Sequence, residues 1–386
     1  VKYLKLKDVY PQIIIMPPLN PVIYYFVIHT AIVFGAVIAA GDSMMLNPGG
    51  FVNTLLPKTY PLVEKFIKWD AHWYTYVAQQ GYDEKSIVFL PMLMFLIRVT
   101  AWAFNGDYGL AGFFVCNLFS FASCLIMYSL FRLDFTKTVS ARALLAFAVM
   151  PTSFFLNSIY TEPVFLTFSL ACVYYARQGK WLNSGLFAAL AALTRNTGVF
   201  LVFLMMYEFW EQYKQERTSR RLPFSLLAML LPPLAFLGFI LYNYISFGDP
   251  LAFVSTQKIW GREFSPPWVN IWNSMIKIWH GAEIAIILDF LMVMLGLLGL
   301  VSMTFLPGLN IPRSYLITGW IWFLIPLCST TPWMPLYSMS RFVLVLFPLY
   351  LYITQLPTCL YRMIIATGAI GLALCSILFT NWHWIS

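Results

Sequence analysis

The stretch Ser86-Ile87-Val88-Phe89-Leu90-Pro91-Met92-Leu93-Met94-Phe95-Leu96-Ile97-Arg98-Val99-Thr100-Ala101-Trp102-Ala103-Phe104 decides how this chain is threaded. It is apolar over nearly the length a helix needs to cross the bilayer core, about 20 residues. Yet it contains Pro91 and Arg98, and only Asn105–Tyr108 separates it from the next apolar run. Whether it crosses sets the side on which every later loop falls.

Working outward, apolar segments lie near 21–40, 86–104, 109–131, 143–158, 163–176, 181–194, 198–210, 223–246, 283–305, 315–329, 341–356 and 363–381. If all cross from an inside N-terminus, Arg132, Lys137, Arg142 and the Lys214, Arg217, Arg220, Arg221 cluster face outward, against the tendency of basic loops to stay cytoplasmic. If 86–104 instead folds back as a re-entrant or membrane-surface hairpin, loops 132–142, 177–180 and 211–222 move inside. They join Lys2, Lys5, Lys7, Arg313 and Arg362 there. The expected topology is therefore about eleven spans, N-terminus inside and C-terminus outside. Amphipathic or re-entrant helices sit in a first outer loop at about 41–108, where protein covers their irregular backbone.

Composition agrees. The chain is 60% hydrophobic and 10% charged, with a mean hydropathy of +0.73. In lipid every backbone polar group has to be satisfied internally, so helices are the default. The expectation is an all-α polytopic membrane protein, a single integral membrane domain over 1–386 with no soluble domain. The first apolar run follows basic residues as in a signal peptide, but it is longer than a usual h-region and lacks a clean small-residue cleavage pattern. It reads as a retained span. The six cysteines, Cys116, Cys124, Cys172, Cys328, Cys359 and Cys375, show no C-x-x-C pairing and read as small buried hydrophobes, with no zinc or disulfide framework. The net charge of +8 fits loop cations that set orientation, not a nucleic-acid partner.

This topology puts Trp69–Asp70, Thr161-Glu162-Pro163, Thr194-Arg195-Asn196, the long loop at about 247–282 and Thr330–Arg341 on one outer face. Separate polar loops converging on one side form a candidate site. Each residue also has a plainer reading. Asp70, before Ala71-His72-Trp73, is a good helix N-cap. The helix that it would start carries Trp69, Trp73, Tyr74, Tyr76 and Tyr82, which suits the membrane interface. His72 is two residues away and does not share its helix face, so it reads as a structural or substrate-contact histidine and no metal site is expected. Glu162 is either an acid placed for function or an ordinary acid at a helix start before Pro163. Arg195 and Arg341 are snorkelling interfacial arginines or phosphate ligands. Asp249 sits in a Gly-Asp-Pro turn that turn chemistry alone explains.

The chain has no P-loop and no convincing dinucleotide fingerprint. Energy for any chemistry therefore has to arrive already stored in a substrate.

The order of motifs resembles the PIG-V family, the GPI mannosyltransferase II group and its prokaryotic relatives in the GT-C superfamily. The matching stretches are Trp69-Asp70-Ala71-His72-Trp73-Tyr74 with Gly81-Tyr82, then Phe89-Leu90-Pro91 and Pro151-Thr152-Ser153-Phe154-Phe155. Next come Ile159-Tyr160-Thr161-Glu162-Pro163-Val164-Phe165 and Leu193-Thr194-Arg195-Asn196-Thr197-Gly198. Phe247-Gly248-Asp249-Pro250-Leu251-Ala252-Phe253, Trp260, Arg262, Ser340-Arg341-Phe342 and Phe347-Pro348 complete the series. The compact chain, with no long inserted loop, is more like the prokaryotic relatives.

The resemblance implies a GT-C-like bundle and an inverting transfer of mannose from a polyprenyl-phosphate-mannose donor, such as dolichyl phosphate mannose, to an acceptor hydroxyl. The transfer takes place on the non-cytoplasmic face of a bacterial or archaeal cell membrane, or of the endoplasmic reticulum in a eukaryote. Asp70 is then the catalytic base. Trp69, His72, Glu162, Arg195, Asn196, Asp249, Trp260, Arg262 and Arg341 are candidate substrate-binding residues, with Arg195, Arg262 and Arg341 as phosphate partners. The implied partners are membrane lipids, the lipid-linked sugar donor and a glycolipid or glycan acceptor. No cofactor is implied with certainty, and a role for a divalent metal is left open. A lipid-linked sugar flippase or transporter is a different class, expected to show the internal repeat this chain lacks. A non-catalytic assembly subunit is another; it would tolerate loss of Asp70.

Overall fold

A computed structural model describes residues 19–58, 60–216, 222–306, 308 and 310–385. Lys2, Lys5, Lys7, Arg217, Arg220 and Arg221 lie outside the described residues. The chain is an all-α polytopic membrane protein. Among the described residues, strand is confined to one antiparallel pair, Glu263–Phe264 against Ser329–Thr330.

Among the described residues five helices are long and apolar enough to cross a bilayer. They are Asn20–Ala40, Tyr108–Asp134, Leu227–Phe247, Ile284–Phe305 and Thr358–Thr380. The other expected segments form shorter helices: Glu162–Arg177, Trp181–Ala192, Leu201–Glu216 and Arg313–Leu327. The segment read as 143–158 is not one continuous helix. Lys137–Ala148 ends before Pro151, and a buried run with a 3-10 turn at Ser153–Leu156 carries the chain to Glu162. Likewise 341–356 splits into Met339–Leu344 and Phe347–Gln355, where Pro348 starts a new helix.

The deciding segment 86–104 forms a helix of 10 residues, Met92–Ala101, with a 3-10 turn at Trp102–Phe104. At about 1.5 Å per residue the helix is only about 15 Å long, too short to cross. Arg98 shows what holds it. Its Nε donates to the Ala78 carbonyl at 2.6 Å, closing the end of the neighbouring helix Asp70–Gln80. That carbonyl is one of the unpaired acceptors at a helix C-terminus, where a cation is favoured.

The bundle has two chemically distinct ends. Glu162 begins a helix whose other end, Arg177, pairs with Asp134 and with Glu208 at 3.3 Å. Tyr315 donates to Asp134 at 3.0 Å, Ser314 donates to Glu208, and Gln212 donates to the Ala176 carbonyl. Tyr361 donates to the Arg142 carbonyl at 3.0 Å. These contacts gather the loops around 134–142, 177–180 and 212–214 with Arg313 and Arg362 at one end. Asp70, Glu162, Arg195 and Arg341 lie at the other.

Close packing is set by small residues, as is usual between membrane helices. A Cβ on Gly185 would overlap the Ala228 carbonyl, so the Trp181–Ala192 and Leu222–Phe247 helices touch there backbone to backbone. Four cysteines, Cys116, Cys124, Cys172 and Cys375, are buried; Cys328 is half-buried and Cys359 exposed, which corrects the reading of these two as buried hydrophobes.

A buried polar chain joins the first helix to the segment leading to Glu162. One His29 ring nitrogen contacts the Ala148 carbonyl and the other Asn157 Oδ1, both at 2.7 Å. The Asn157 amide donates to Asn117 Oδ1 at 2.8 Å. His29→Leu removes the ring from Asn157 Oδ1, while the Ala148 carbonyl keeps the Ser153 hydroxyl, and a buried group left unpaired costs about 1–3 kcal/mol. We expect a clearly lower thermal unfolding midpoint in detergent, and an unchanged midpoint would refute the role given to this chain.

Candidate active site

The site begins with a helix start. Asp70 is the first residue of Asp70–Gln80, and Trp69 holds the cap position with no side-chain cap bond. Asp70 is therefore not the N-cap. Its carboxylate turns away from the helix to Arg341, whose Nη1 donates to Asp70 Oδ2 at 3.1 Å. Arg341 Nε donates to Glu162 Oε1 at 2.7 Å, and Arg195 Nη1 donates to the same oxygen at 3.1 Å. Four residues distant in sequence thus form one chain of alternating charge, Asp70–Arg341–Glu162–Arg195. Aromatic faces close it in: Arg341 lies 4.4 Å from the Tyr160 ring centroid and Arg195 4.3 Å from that of Phe342. The Glu162 side chain has no exposed surface, whereas Asp70 keeps 15% of its own. Asp70 is the end of the chain that meets the outside.

What it meets is a cavity of about 660 Å³, the size of a small-molecule site. Trp69, Trp73, Trp260, Trp333, Tyr337 and Trp384 supply aromatic walls. Lys277, His280 and Glu283 supply charge and polarity across from Asp70, and Gly49-Gly50 forms part of the rim. A Cβ on Gly49 would overlap the Trp69 indole, so that close approach requires glycine.

The remaining expected residues divide clearly. Trp69 and Trp260 line the cavity. Arg262 is not among the lining residues but packs on one of them, 4.9 Å from the Tyr337 ring centroid. His72 lies behind the wall, stacked on Trp382 at 5.4 Å, and its Nδ1 accepts from the Asn53 amide at 3.2 Å. That bond puts the proton of the neutral ring on Nε2. Asn196 is exposed at the start of a 3-10 turn, away from the cavity lining. Asp249 closes its own turn, accepting from the Leu251 amide and the Ser255 hydroxyl, both at 2.9 Å. Arg195 and Arg341, read as phosphate ligands, already spend their bonds on Glu162 and Asp70.

Sequence reasoning missed Lys277, His280, Glu283, Trp333, Tyr337, Trp382 and Trp384. A signal existed for the last pair: two tryptophans just beyond the final span, on the expected outer side, are interface anchors. The others sat within or beside loops marked as outer but carried no motif.

Burial sets the local titration. It holds the His72 imidazole down to about 4, with the Lys68 cation adding to the effect. It also lowers the Lys68 ammonium to about 8, helped by Lys65; that ammonium lies 4.9 Å from the Trp382 ring centroid. Among the described residues no three His, Cys, Asp or Glu side chains converge as a metal cluster.

Residues 22–273 match a family model described as Mannosyltransferase (PIG-V). The chain belongs to this family. The human protein GPI alpha-1,6-mannosyltransferase 2 is 26% identical over 219 residues, covering 52% of this chain and 44% of the human protein. The chain thus matches less than half the length of that relative. The family match includes Asp70, Glu162 and Arg195 but stops short of Arg341 and of the cavity wall at Lys277–Glu283.

Two outcomes follow for this family member. Glu162→Gln removes the charge shared by two buried arginines, a loss of about 3–5 kcal/mol, and we expect a large drop in unfolding midpoint. Because His72 titrates lower folded than unfolded, its contribution to stability is constant above pH 6.5 and falls as pH drops toward 4. The slope reaches about 1.4 kcal/mol per pH unit. His72→Gln should lose less stability than wild type over that window, and parallel curves would refute the assignment.

Proposed function

We propose that this protein is a mannosyltransferase that takes mannose from a polyprenyl-phosphate-mannose donor and places it on an acceptor hydroxyl with inversion. The transfer takes place at the Asp70 end of the bundle, on the non-cytoplasmic face. The observation that carries this reading is the position of Asp70. It is a carboxylate at a cavity wall, tied through one oxygen to Arg341, while Oδ1 makes no hydrogen bond among the described residues.

The acceptor oxygen attacks the anomeric carbon from the face opposite the phosphate, and its proton passes to Asp70. The bond from carbon to phosphate oxygen breaks, and its electrons leave with the phosphate. One displacement with a positioned base gives inversion, and such a base typically contributes 10²–10⁴-fold. Arg341 fixes the carboxylate's direction, and Glu162 with Arg195 fixes Arg341. These two arginines are positioning residues in this scheme. Lys277 in the cavity wall, and Arg262 against the lining residue Tyr337, are the cations outside that chain suited to the departing phosphate. The indole walls offer flat apolar faces to a sugar ring. The basic opposite end supports the outward orientation, since basic loops favour the cytoplasm.

The test is transfer by purified protein from labelled polyprenyl-phosphate-mannose, with wild type beside Asp70→Asn and Glu283→Gln. Asp70→Asn should fold and lose at least about a hundredfold in kcat, while Glu283→Gln should keep most of it. Wild-type activity in folded Asp70→Asn would remove the base assignment and favour a non-catalytic role. Arg341→Lys should lower kcat more than it raises the donor KM; the reverse would restore Arg341 as a phosphate ligand.

A further inference from the structure

A second cavity, about 510 Å³, lies at the opposite end of the bundle from Asp70. It is lined by Asn20, Pro21, Tyr25, Tyr128, Lys137 and Arg142, among others, where the first helix meets Tyr108–Asp134 and Lys137–Ala148. The buried Arg195 and Arg341 and the half-buried Arg177 each hold a carboxylate. Arg142 holds none among the described residues, and neither does Lys137. The Arg142 guanidinium packs against the Tyr361 ring at 4.0 Å and bonds to the Tyr361 hydroxyl, while the guanidinium Nε and Nη2, closed off from solvent, have no hydrogen-bond partner. Neither the Tyr25 nor the Tyr128 hydroxyl hydrogen-bonds to a described residue. A hollow with two unneutralised cations and two phenol hydroxyls, opening at the end of membrane helices, has the chemistry to take a phosphate.

We propose that this cavity binds the phosphate headgroup of an anionic phospholipid from the leaflet opposite the Asp70 cavity. Arg142 and Lys137 neutralise the phosphate, and Tyr25 and Tyr128 donate to its oxygens. Lipid is the source favoured here because the cavity opens between helices at a bundle end where Arg132, Lys180, Lys214, Arg313 and Arg362 also gather. A basic pocket in that setting matches the known physics of headgroup recognition. A guanidinium with free donors suits a phosphate better than any apolar occupant.

The test uses the intact purified protein reconstituted in nanodiscs of phosphatidylcholine alone and of phosphatidylcholine mixed with phosphatidylglycerol, with bound lipid counted by native mass spectrometry. Wild type should retain phosphatidylglycerol selectively and unfold at higher temperature in its presence. Lys137→Gln changes an exposed side chain with no internal partner, so it should fold normally and weaken that retention about fivefold; adding Arg142→Gln should weaken it about fivefold again. Arg313→Gln, a cation at the same end but away from the cavity, should leave retention unchanged. Equal loss in Arg313→Gln, or undiminished retention in the double variant, would overturn the site. Stabilisation by inorganic phosphate alone to the same extent would overturn the lipid as its occupant.

Discussion

The carboxylate of Glu162 is the point on which the arrangement of the site depends. One oxygen of a fully buried side chain accepts from Arg195 and from Arg341, joining three stretches of chain that share no local contact. Isolated, any of these charges would be prohibitively expensive in a membrane protein's interior. Together they are tolerated because each is both paired and hydrogen-bonded. The pairing is also directional. An acid at the first turn of Glu162–Arg177 is favoured by the helix N-terminus, and Pro163 presets the backbone there. The plain reading of a Thr-Glu-Pro helix start and the functional one are therefore the same fact. The cap geometry delivers the carboxylate to the place where two arginines need it.

Arg341 transmits that order outward to Asp70. Its guanidinium is a planar fork that can serve two carboxylates in fixed directions at once, which a lysine ammonium would not do. Asp70 meets the cavity with one oxygen already committed to Arg341, so its orientation does not depend on a substrate arriving. The order of burial matters here. The chain is driest at Glu162 and becomes accessible only at Asp70, so charge is stabilised where water is absent and offered where a ligand can enter.

Much of this was legible in the sequence, for physical reasons that are easy to name. The fold class followed from apolar run lengths, and the separation of the two ends followed from one decision about Pro91 and Arg98 in segment 86–104. Asp70, Glu162, Arg195 and Arg341 stood out because ionisable groups in apolar surroundings are rare. Their connectivity was not legible, since 271 positions separate Asp70 from Arg341 and hydropathy carries no information on pairing. The carboxylate partners of Arg195 and Arg341 were equally hidden, because an arginine that offers itself to phosphate and one that serves a carboxylate look identical in sequence. Asn196 and Asp249 were marked through motif position alone, and the structure leaves them in turns outside the cavity lining. Helix count was misleading for a related reason. Hydropathy does not distinguish an apolar helix that spans from an apolar run that turns inside the protein, as 149–161 does.

The backbone adds a constraint that no residue type announces. Trp69, immediately before Asp70, has φ 54 and ψ −118, and Ser338, immediately before the Met339–Leu344 helix that carries Arg341, has φ 59 and ψ 20. Both are in regions that non-glycine residues rarely occupy, at a cost of about 1–3 kcal/mol each. The two strained turns bring the helix starts of Asp70 and Arg341 to opposite sides of one ion pair. Trp69 is held there by edge-on contacts with Trp384 at 4.9 Å and Trp382 at 5.5 Å, and Trp382 itself has φ 68. Three of the four non-glycine residues with positive φ among those described therefore belong to this one neighbourhood. Strain that clusters in this way is maintained by the contacts around it, and here those contacts are the indole cluster on one side and the Glu162 network on the other. Relaxing either turn would swing a helix start and separate Asp70 from Arg341, so the aromatic wall and the buried charges act as two halves of one clamp on the same carboxylate.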